Sequence, residues 1–114
     1  MLLCHGLAKI DLVQPVKKWA QGEGWSLFFT IISKYTTFTG EPEFQKFSCM
    51  MNFTSEDTMK NYVEAVQPGK YICIGKAELV GTKTSADGTE DGKFRSVIKI
   101  NAHPSDVSFN LRIE

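Results

Sequence analysis

Hydrophobic and polar positions alternate with a two-residue period along much of the chain, most clearly between Trp25 and Phe53. The run WSLFFTIISKYT places Trp25, Leu27, Phe29 and Ile31 on one side of a strand, with Ser26, Phe28, Thr30, Ile32 and Lys34 on the other. Residues 43–53, EFQKFSCMMNF, place Phe47, Cys49, Met51 and Phe53 on one side and Phe44, Lys46, Ser48 and Met50 on the other. The link TFTGEP between them carries the glycine and proline of a reversal. Each strand thus has an apolar face for a core and a mixed face of rings, lysines and hydroxyls. Two readings fit the mixed face. Rings stack on unpaired bases while ammonium groups neutralise phosphates, and the exterior of an ordinary sheet also carries scattered apolar side chains.

The other elements follow from the same patterning. Residues 7–16 predict a first strand at a sheet edge, with Ile10, Leu12, Val13 and Val16 favouring extended backbone and Pro15 near its end. Lys17, Lys18 and Trp19 lead into the turn QGEG, and Trp19 is expected to pack beneath a barrel end rather than stack at a groove mouth. A helix is predicted over 55–66. Thr54 or Ser55 can cap it, Glu56 and Asp57 suit its positive end, Met59, Tyr62, Val63 and Val66 recur at helical spacing, and Pro68-Gly69 end it. Residues 70–80 predict a fourth strand with a bulge at Gly75, and residues 93–101 a fifth, separated by the long polar loop GTKTSADGTEDG. The run 106–113 could add a sixth strand or a subunit contact. The order strand, strand, strand, helix, strand, strand predicts an all-β domain with one short helix. It matches the five-stranded OB-fold barrel, whose helix lies between strands 3 and 4 and whose second and third strands face the ligand. The whole chain, 1–114, forms one such domain.

Composition narrows the function. Thirteen basic and thirteen acidic side chains give zero net charge, which excludes coating of duplex DNA by bulk positive charge. A nucleic-acid binder of this composition depends on stacking and on locally placed lysines. Cys4, Cys49 and Cys73 have neither disulfide-framework nor zinc spacing, and buried reduced thiols in a reducing cytoplasm are expected. The apolar opening MLLCHGLA lacks a basic region ahead of it, and no run reaches the length of a membrane-spanning helix. His5 and His103 stand outside metal-ligand spacings, and no phosphate-binding glycine loop or nucleophile elbow is present, so neither an enzyme nor a cofactor is expected. His103 before Pro104 reads as a turn residue.

Several short patterns occur in a telling order: Glu43-Phe44 opening strand three with Lys46 two positions on, Tyr62 through Gly69 ending the helix, then Gly69-Lys70-Tyr71-Ile72-Cys73-Ile74-Gly75. Asp87 to Gly92 and Phe94 to Ile100 close the series, and Ala8 to Val13 fits its first strand. In this respect the chain resembles the single-stranded DNA-binding proteins of bacteria and their phages up to Asn101. The resemblance implies stacking rings at Phe44 and Tyr35, a phosphate contact at Lys46 and a second stacking position occupied by Met50. The loop 81–92 has no aromatic where the family commonly has one, so Lys83 is expected to serve there.

With Phe28, Lys34, Lys76, Arg95 and Lys99 added from the mixed faces and later strands, the candidate nucleic-acid surface is complete. The resemblance also implies single-stranded DNA as ligand, with RNA not distinguished. It further implies a homo-oligomer, dimer or tetramer, paired through the first strand or the run 106–113, contacts with replication or recombination proteins, and no membrane. The family's acidic tail is not found, the sequence closing on Leu111-Arg112-Ile113-Glu114: either that segment has been removed or this is a tailless member, and the latter suits a phage or plasmid protein in the host cytoplasm. The competing reading is an OB-type domain that assembles with other proteins without touching nucleic acid. It loses ground if Tyr35, Phe44, Lys46, Arg95 and Lys99 converge on one open groove.

Overall fold

The computed structural model describes residues 2–36, 38–84 and 90–109, with the backbone alone for residues 2–6, 34–36, 83–84 and 90–91. Its elements are β1 (Leu2–Val13), β2 (Lys17–Lys18), β3 (Trp25–Thr36), β4 (Pro42–Phe53), α1 (Glu56–Ala65), β5 (Tyr71–Thr84), β6 (Glu90–Ile100) and β7 (Val107–Ser108). The long strands run in the order β1-β3-β4-β6-β5, and β5 pairs again with β1, so the sheet closes into a five-stranded barrel. All these pairings are antiparallel except β4 with β6, where Cys49 lies beside Ile98 and Met50 beside Lys99. Among the long strands the helix follows the third, as expected. The two-residue β2, paired through Lys17↔Ser26 and Lys18↔Trp25, shifts the count so that α1 lies between β4 and β5.

Alternation along the strands decides what goes inside. Leu27, Phe29 and Ile31 of β3 and Cys49, Met51 and Phe53 of β4 are buried, and Ile10, Ile72, Ile74, Ile98 and Ile100 meet them from the other strands. Phe47 is half-buried against the same cluster, as is Trp25. Each fully buried side chain of this size contributes about 1.5–3 kcal/mol of transfer free energy. Cys49 is buried and Cys73 half-buried, neither in a disulfide.

The helix covers one end of this core. Ser55 caps it, its Oγ accepting from Thr58 N at 3.4 Å, while Glu56 and Asp57 occupy the first turn. Met59 is buried, and the half-buried Tyr62 ring lies 5.9 Å from Phe53 and 5.9 Å from Phe109, edge-on to the latter. Burial, with Asp106 nearby, pushes the Tyr62 hydroxyl above its ordinary range. The helix exit is tied to β1: Gly69 N donates to Ile10 O and Ile10 N to Lys70 O, both at 2.8 Å.

Three expectations are corrected. The first strand runs from Leu2 to Val13 rather than over 7–16, leaving Pro15 and Val16 beyond it. It is not a simple edge strand either. Barrel closure gives Lys9 partners on both sides, Ile32 and Tyr71, although Leu2 through Ala8 pair with β5 alone. The long loop is largely strand, because Gly81↔Ser96, Thr82↔Arg95 and Thr84↔Glu90 carry the β5–β6 hairpin past the barrel. The turn signals Asp87 and Gly88 lie outside the described residues. The bulge at Gly75 is present: the β1–β5 register shifts there, and Gly75 N and Lys76 N both donate to Asp106 O, at 2.7 and 3.3 Å. Of the two alternatives for the run 106–113, a sixth strand or a subunit contact, the strand is present as β7 paired with β5, although residues 110–113 of that run are not described.

Candidate nucleic-acid interface

The outward residues of β3 and β4 stand opposite one another in successive rows. Ser26 faces Asn52, Phe28 faces Met50, Thr30 faces Ser48, Ile32 faces Lys46, and the backbone of Lys34 lies opposite Phe44. On the β4 side, β6 places Lys99 beside Met50. On the β3 side the end of β1 runs alongside, with Gln14 N donating to Phe28 O at 2.9 Å and Leu12 N to Thr30 Oγ1 at 3.1 Å. An open hollow of about 160 Å³ makes this face locally concave; Leu12, Gln14, Phe28, Thr30, Ser48, Arg95 and Val97 line it, and it reaches between the strands to the inward-facing Phe29 and Cys49.

The sequence-predicted residues separate into groups. Phe28 and Met50 are half-buried neighbours on the face, Arg95 lines the hollow, and the half-buried Lys99 sits between Met50 and Glu78 in register. Phe44 stands at the far end of the rows with 67% of its surface exposed, so it is no core residue. Lys46 is 65% exposed, but its Nζ lies 3.3 Å from Asp11 Oδ2 on β1, so a carboxylate already holds the cation expected to contact phosphate. Lys76 does not join the group. It sits at the β5 bulge beside the β7 turn, and β5 is separated from β4 by β6 and from β3 by β1. The side chains of Lys34, Tyr35 and Lys83 lie outside the described residues, and only the backbone of Tyr35, opposite Glu43, can be placed. His103 is a turn residue, with Nδ1 2.6 Å from Ser105 Oγ.

Three further rings stand where the alternation of the strands gives no signal for them. Phe38 is fully exposed at the tip of the β3–β4 hairpin; its signal was a ring among the turn residues of TFTGEP. Phe94 is 74% exposed and lies over Gly81 of the neighbouring strand, where any side chain would collide with the ring. It is thus an aromatic on the β5–β6 hairpin just past the stretch searched for one. Trp19 is half-exposed and does not belong to the ring of side chains packed against the core. Instead it rests on the backbone of Gly24, again where a Cβ would overlap it, and its Nε1 donates to Ser26 Oγ at 2.7 Å.

A five-stranded closed sheet with a helix after the third long strand and a concave outer face on the second and third is an OB barrel. The fold is shared with single-stranded DNA-binding proteins. The Plasmodium falciparum SSB in its complex with ssDNA superposes with a TM-score of 0.64 at 10% identity, over 96% of this chain and 94% of that chain. The small single-stranded DNA-binding protein from Streptomyces coelicolor gives 0.52 at 11% identity, again over 96% and 94%. At these identities the likeness is one of fold. In sequence, no family model and no curated protein matches the chain.

Proposed function

We propose that this protein binds single-stranded DNA without sequence preference, the strand crossing the concave face of β3 and β4. The observation that carries the reading is the exposed Phe44 in line with the Phe28–Met50 row, with Lys46, Arg95 and Lys99 on the same face. Rings there accept base faces while the cations flank the backbone, and each stacked base contributes about 1–3 kcal/mol. Zero net charge accords with a binder that works by stacking and local neutralisation and leaves duplex alone. Phe38 on the β3–β4 hairpin and Phe94 on the β5–β6 hairpin are further exposed rings.

In the cell such a protein covers and protects single strands during replication or recombination, as a homo-oligomer whose copies lengthen the short track of one barrel. Binding of a dye-labelled oligothymidine, followed by anisotropy against a duplex of equal length, tests the reading. Tight, salt-sensitive binding of the single strand alone is expected. Indifference to both nucleic acids at low salt would favour the protein-assembly alternative.

A further inference from the structure

Trp19 lies in the connection between β1 and β3, and its environment is built rather than incidental. One face of the indole is closed by Gly24, whose missing side chain leaves room for the ring, and Trp19 N donates to Gly24 O at 2.9 Å. The indole nitrogen can only donate, and it does so to Ser26 Oγ at 2.7 Å. Having accepted that proton, the Ser26 hydroxyl spends its own on Asn52 Oδ1 at 2.6 Å. The carboxamide oxygen of Asn52 is the atom turned to Ser26. Its two N–H donors then belong to the opposite side of the amide. Ser26 and Asn52 form the row next to Phe28 and Met50 on the concave face. A ring fixed by backbone and hydrogen bond thus stands half-exposed at the end of the track, beside an amide with donors to offer.

We infer that Trp19, Ser26 and Asn52 form a further nucleotide subsite, in which a base stacks on the indole and presents a hydrogen-bond acceptor to the Asn52 amide. The inference rests on the single-strand reading of the face. The carbonyl oxygens of thymine, uracil, cytosine and guanine and the ring nitrogens of adenine all accept from such a donor, so the subsite holds any base and the track stays sequence-tolerant. Because Gly24 and Ser26 hold the ring before ligand arrives, stacking costs little ordering entropy.

The test uses intrinsic fluorescence and anisotropy together. In the unmodified protein, oligothymidine quenches tryptophan emission as the labelled oligomer gains anisotropy. In Trp19→Phe, which keeps an aromatic ring in the same place, most of that quench is lost, because Trp25 lies at the rim of the core. Trp19→Ala weakens oligothymidine binding by about 5- to 150-fold, the range for one stacked base. Asn52→Ala weakens binding of oligothymidine and of oligodeoxyadenosine alike, several-fold. Full anisotropy change with an undiminished quench in Trp19→Phe overturns the subsite while leaving the single-strand reading intact. Unchanged binding of both oligomers in Asn52→Ala overturns the amide contact. Absence of any anisotropy change overturns the subsite together with the reading it rests on.

Discussion

The Lys46–Asp11 pair gives a sharp test because it sets a carboxylate of β1 against the phosphate that Lys46 is proposed to hold. The Nζ–Oδ2 separation is 3.3 Å, with Lys46 65% exposed and Asp11 26% exposed. An ion pair so open to water is worth about 0.2–1 kcal/mol. Binding a phosphate at Lys46 requires giving up that amount, so Asp11→Asn should raise affinity for oligothymidine by about 1.4- to 5-fold at low salt, where 1.4 kcal/mol is a factor of ten. The gain shrinks as salt screens the pair. Lys46→Ala should lower affinity and reduce the slope of log affinity against log salt by about 0.7, the value for one phosphate contact on a single strand. Anisotropy titrations of the four proteins of the cycle, at three or four salt concentrations, supply both quantities. The competition requires that Asp11→Asn help much less once Lys46 is gone. An equal gain in both backgrounds would mean that Asp11 acts only through the general field of the face, and a loss of affinity in Asp11→Asn would refute the reasoning outright.

Three further outcomes follow. Phe44→Ala should weaken single-strand binding by about 5- to 150-fold while leaving the thermal midpoint nearly unchanged, since the ring is two-thirds exposed; a melt and a titration on one preparation check both parts. Met51→Ala, at a fully buried site in the barrel, should cost about 2–5 kcal/mol in urea unfolding. Tyr62 holds its proton more tightly folded than unfolded, so above the ordinary value of 10.0 the unfolded state ionises first and stability falls as pH rises. Tyr62→Phe should make that alkaline decline shallower, as measured by unfolding between pH 9 and 11.

Much of the barrel was legible because its strands obey the two-residue alternation. Leu27, Phe29, Ile31 and Cys49 went to the core and Phe28, Phe44, Lys46 and Met50 to the outer face, and the Ser55 cap and Gly75 bulge carried local signals strong enough to read. What escaped was set by partners distant in sequence. Nothing local to β1 reveals that β5 returns to pair with it, so the strand read as an edge. Asp11 reaches Lys46 only because β1 lies beside β3 in the closed sheet. Lys76 looked like another cation of the surface until the topology carried β5 to the other side. Trp19 is the clearest case: two lysines and a glycine turn suggested packing under the barrel, but the ring's place depends on Gly24, Ser26 and Asn52, the last lying 26 residues from Ser26. Phe94 stands two positions past Gly92, where the polar, turn-forming composition ends but the hairpin continues as paired strand.

The central claim is tested most directly by titrating labelled oligothymidine and a matched duplex with the full chain, at low and at physiological salt. The account predicts saturable binding of the single strand that weakens as salt rises, together with tryptophan quenching, and negligible binding of the duplex. Equal affinity for both, or no binding of the single strand at low salt, would contradict it.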